Sequence, residues 1–99
     1  MSIYINAYDG ICSLGNNKNE IMQNIFKCKP SATKNQIQSK DFMVGKIENL
    51  QDFSKDVKEI YKTRTNLILH HLLLNMQEPL NELFAKFSKD KIAVIIGTT

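Results

Sequence analysis

The apolar residues of this chain fall into patterned stretches separated by polar ones. The first stretch, IYINAYDGICS from Ile3 to Ser13, alternates, with Ile3, Ile5 and Ala7 on one side and Tyr4, Asn6 and Tyr8 on the other. A period of two predicts a strand, with Gly10 allowing a bulge or bend. Gly15 then breaks the chain. The next stretch, NNKNEIMQNIFKC, sets Ile21, Ile25 and Phe26, with Met22, at the spacing of an amphipathic helix. Asn17 is placed to cap that helix, and Glu20 follows three residues later, the capping-box spacing. Pro30 predicts that the helix ends near Lys29.

Residues 29–54 are polar and irregular. FMVGKI suggests a short strand around Gly45, and the rest reads as a long loop of the kind that covers something or carries function. The strongest helical signal is TRTNLILHHLLLNMQEPLNELFAKF, apolar over most of its circumference, as in a helix packed on more than one side. Pro79 should kink it or divide it in two. SKDK turns the chain, and DKIAVIIGTT follows. The unbroken run Ile92–Ile96 reads as a strand buried on both faces, which needs neighbours at each edge and cover above and below.

The order is thus strand, helix, loop, helix, strand, which predicts an α/β layered architecture. Two strands cannot form the sheet that Ile92–Ile96 requires, nor cover so apolar a central helix. The expectation is a partial α/β fold, incomplete as a stand-alone layered sheet.

Composition narrows the function classes. The 99 residues are 42% hydrophobic and 23% charged, enough for one domain with little margin for a core. The net charge of +3 is spread among acids, as in KDVKEIYK, and is not the clustered basic stripe of a nucleic-acid binder. No stretch has the length of a membrane span, and MSIYINAYDG lacks the pattern of a secretion signal. A cytoplasmic protein with Cys12 and Cys28 as free thiols is expected, without nucleic-acid or membrane partners.

Taken singly, the chemistry-bearing residues form no catalytic, cofactor or metal site. His70 and His71 are adjacent on a helix and point about 100° apart, so they cannot ligate one metal as an i, i+4 pair does. They read as packing or surface histidines. Cys12 and Cys28 lack C-x-x-C spacing, and no helix directly follows Cys12 to activate it as a nucleophile. A small buried thiol on a strand is the expected role of Cys12. Gly10 and Gly15 fit neither a G-x-G-x-x-G fingerprint nor a P-loop. Asp9, Glu20, Glu48 and Asp52 show no pairing suited to acid/base work.

Four segments in series nevertheless resemble the start of the β-ketoacyl-[acyl carrier protein] synthases. In YINAYDGICSLGNNKNEIMQNI the likeness is carried by Ile3, Ile5, Gly10, Ser13 and Gly15, while Asn6, Ala7 and Tyr8 depart from the T-G-x segment usual there. VGKI resembles the short segment before the family's second helix. TRTNLILHHLL resembles an S-R-x-N-x-L-L-L helix start, through Arg64, Asn66, Leu67 and Leu69. DKIAVIIGTT resembles a core strand of the family, with Lys91 in place of arginine.

This resemblance implies a thiolase-like fold, with residues 1–99 as the N-terminal part of a ketosynthase N-terminal domain. It implies an acyltransferase that joins acyl and malonyl thioesters of acyl carrier protein by decarboxylative Claisen condensation, in fatty acid or related polyketide-like biosynthesis, usually as an oligomer. The family's catalytic cysteine and two histidines lie beyond these residues. Cys12, Cys28, His70 and His71 do not fall at their positions, so these residues alone are expected to be inactive. Gly97, Thr98 and Thr99 stand where the family begins the turn that approaches the acyl pocket. A different class of reading is a non-catalytic module that pairs Ile92–Ile96 with another polypeptide. The broadly apolar helix argues against a third, a small independent binding domain.

Overall fold

The computed structural model describes residues 2–98. It is a mixed α/β arrangement of three helices and one β-hairpin: α1 (Lys18–Phe26), β1 (Thr33–Ile37), β2 (Lys40–Val44), α2 (Arg64–Asn75) and α3 (Gln77–Lys86). Single 3-10 turns at Glu59–Tyr61 and Lys89–Lys91 precede α2 and follow α3.

Helix α1 forms where its caps predict. The Asn17 side chain accepts the Glu20 amide at 2.8 Å, and Asp9 Oδ1 accepts the Lys18 amide at 2.7 Å. Two of the amides left without helical partners are thereby satisfied, beside the positive end of the helix dipole. The helix ends at Phe26, earlier than Pro30 alone suggests, because Cys28 turns left-handed at φ 53°. Cys28 N then donates to Ile25 O and Lys29 N to Asn24 O, both at 3.0 Å. That pair of bonds is a Schellman cap with cysteine in the place that glycine prefers. Cys28→Gly should therefore stabilise the helix end by about 0.5–1 kcal/mol, the strain relief exceeding the added freedom of the unfolded chain. A urea titration followed by far-UV circular dichroism reads this as a higher midpoint.

Residues 29–54 are not one irregular loop. They hold an antiparallel hairpin, paired from Thr33↔Val44 to Ile37↔Lys40. Its two-residue connection, Gln38 and Ser39, has φ of 51° and 63°, as a tight turn matched to strand twist requires. The strand expected around Gly45 lies upstream, ending at Val44. Lys34 and Asp41, on opposite strands, lie 3.0 Å apart in an exposed ion pair.

The long apolar helix is divided, at Met76 rather than at Pro79. Pro79 lies in the first turn of α3, where no helical bond to its nitrogen is missed. A proline ring clashes with the carbonyl four residues back, here that of Asn75, which is the last residue of α2.

The two terminal strands predicted from the sequence are absent among the described residues. Ile3–Ser13 has no strand pairing beyond a single bridge between Cys12 and Gly15, and Ile92–Ile96 has none. Gly10 makes no bulge; its amide bonds Asp9 Oδ1 at 2.8 Å. The reason is a missing partner: a strand exists only against another, and the sole sheet among the described residues is the hairpin. The layered strand–helix–loop–helix–strand sheet is therefore corrected to a mixed α/β arrangement in which Ile3–Ser13 and Ile92–Ile96 lie outside any sheet.

Burial agrees with this. Among the described residues no hydrophobic side chain is fully buried. Val94, Ile95 and Ile96 are 77%, 96% and 61% exposed, and Ile3, Ile5 and Phe26 are also open. The radius of gyration is 16.6 Å, against about 13 Å for a compact domain of this length. Among the described residues no helix is long and apolar enough to cross a membrane.

Candidate functional site

What holds this chain together is a polar junction between the Cys12–Asn16 turn, the segment after the hairpin, and α2. The turn closes on itself, Cys12 N to Gly15 O at 3.0 Å and Gly15 N to Cys12 O at 3.1 Å. The Asn24 side chain, from α1, donates to Leu14 O. Asn16 Nδ2 reaches across to Glu48 O at 2.6 Å and Asn49 O at 3.3 Å. Asn75, the last residue of α2, donates its side-chain amide to Asn16 O at 2.8 Å.

Helix α2 grips the same segment from its other end. The Thr63 side chain caps the helix by accepting the Asn66 amide at 3.2 Å. Asn66 Nδ2 donates to Tyr61 O at 2.8 Å, tying the preceding 3-10 turn to the helix start. Arg64 donates to Ile47 O at 2.5 Å, and His71 Nδ1 accepts the Gln51 amide at 3.2 Å. Asn49 lies within this clasp at φ 59°, a left-handed conformation that asparagine tolerates better than most residues. These bonds supply carbonyls and amides with partners that neither a helix nor a sheet provides.

Both histidines of α2 are packing residues. His71 is 6% exposed and engaged with Gln51. His70 packs its ring on Phe53, with centroids 5.5 Å apart and planes tilted by 39°. Their divergence on the helix sends them to different neighbours, as adjacent positions require.

Asn16→Ala should cost about 1 kcal/mol, because it frees two carbonyls in a segment with few other ties. Amide hydrogen exchange across residues 45–51 should then quicken while that of the hairpin stays unchanged. Unaltered exchange in residues 45–51 would remove Asn16 from its clamping role.

Beside the junction lies a polar cavity of about 230 Å³, lined among others by Cys12, Glu20, Lys29, Lys46 and Glu48. Cys12 is half-buried in the Cys12–Gly15 turn rather than in a strand, while Cys28 is exposed at the helix cap and neither forms a disulfide. Neither His70 nor His71 is among the lining residues, so Cys12 has no imidazole base beside it there. Glu20 and Glu48 share this cavity although they stand far apart in sequence. Asp9 is committed to capping α1, and Asp52 does not line the cavity. No group of three or more histidine, cysteine or acidic residues converges on a metal position among the described residues. Gly97 stands in open space, with no atom within 4 Å of where a Cβ would lie. Thr99 is outside the described residues.

Three of the four segments that carry the resemblance meet at the junction, while the fourth, DKIAVIIGTT, has Val94, Ile95 and Ile96 exposed outside any sheet. Gly45 packs against Ser13, a Cβ on the glycine falling 3.0 Å from Ser13 Oγ, and Arg64 holds Ile47 two residues further on. Sequence reasoning singles out Ser13, Gly15 and Arg64 but not Asn16, Asn24, His71 or Asn75 as their supports. Side-chain amides that bond backbone carbonyls leave no periodic trace. A comparison with models of protein families, with curated proteins and with solved structures finds no match to this chain.

Proposed function

We propose that residues 1–99 are the N-terminal segment of a 3-oxoacyl-[acyl carrier protein] synthase-like protein of thiolase-like fold. The complete protein would join acyl and malonyl thioesters of acyl carrier protein by decarboxylative condensation in the cytoplasm, as an oligomer. The segment itself brings no catalytic residue, cofactor or metal. The observation that carries the reading is the meeting of motif segments far apart in the chain: Ser13 against Gly45, and Arg64 on the VGKI segment. Three of the four motifs, in the right order along the chain, lie against one another, and that contact supports the reading. In such a protein the chain's own residues would serve as scaffold, and the run Ile92–Ile96 would enter a sheet completed by the rest of the protein.

The test is the reading frame downstream of Thr99. It is expected to continue into a Ser/Gly-rich turn and later to encode a cysteine and two histidines. An immediate stop codon would overturn the reading.

A second reading is favoured by the uncovered run itself. An exposed, charge-free apolar stretch outside any sheet is open to strand addition by another chain. On that reading the protein is a non-catalytic module whose sheet is completed by a partner, and a stoichiometric partner should co-purify with it from its source cells. Acyl transfer by residues 1–99 alone would contradict both readings.

A further inference from the structure

We draw no further inference here: the strongest candidate, the polar cavity beside the Cys12–Asn16 turn, holds a lone cysteine with no buried unpartnered group to point to a ligand, and nothing in the structure shows what covers the exposed run Ile92–Ile96.

Discussion

Replacing Gly15 by valine should abolish the native arrangement of the N-terminal half, and even alanine should cost about 2–3 kcal/mol. Gly15 is one of two buried residues among those described, the other being His71. A Cβ at this position would lie 2.8 Å from the Ile21 nitrogen, 2.9 Å from Glu20 Cβ and 3.0 Å from the Glu20 carbonyl carbon. Two of those three atoms are backbone, and all belong to the first turns of α1. They cannot step aside without pulling Glu20 from its bond to Asn17, so the clash and the cap are coupled. The tight Cys12–Gly15 turn leaves the other side no freedom to yield. With so little apolar burial in reserve, a loss of this size removes a large share of the stability. Far-UV circular dichroism in urea should show a lower midpoint for Gly15→Ala and a weaker helical signal without denaturant for Gly15→Val. A wild-type midpoint for Gly15→Ala would show that the turn and the helix do not pack this closely.

Ile95→Lys should act with opposite sign in two settings. In residues 1–99 the side chain is 96% exposed within a charge-free run outside any sheet, so the substitution removes an apolar surface and places a charge on it. Charged residues in such runs block strand pairing between copies. The soluble monomer fraction in size-exclusion chromatography with light scattering should rise several-fold, with the helical signal unchanged. In a longer protein that buries Ile92–Ile96 in a central sheet, the same lysine would enter a core. There it should cost about 3–5 kcal/mol and prevent folding. A gain of monomer in the short chain without a loss in the longer one would show that this run is a surface in both, against the condensing-enzyme reading.

Several local features are legible in the residues themselves. Asn17 marks the start of α1, since an amide oxygen before an apolar stripe has few better uses than the free amides of a first turn. Pro79 marks a divided helix, although the division falls at Met76 because the proline acts on the turn before it. The hairpin is hidden for a different reason. Its turn, Gln38–Ser39, lacks the glycine or asparagine that signals left-handed positions, and TKNQI has no alternation to read. Residues carrying an unfavourable backbone conformation without the usual side chain leave no signal in the sequence.

By itself the sequence determined where helices start and break and which runs are most apolar, and it spells out no catalytic constellation in these residues. Those are local properties, set by capping side chains, proline sterics and hydrophobic period. Only the tertiary structure decided that Asn16, Asn24, Arg64, His71 and Asn75 clasp distant backbone, and that Gly15 must be glycine. It also decided that Ile3–Ser13 and Ile92–Ile96 lie outside any sheet. A strand is a relation between two segments, and a sequence that is apolar enough for one cannot by itself supply the other.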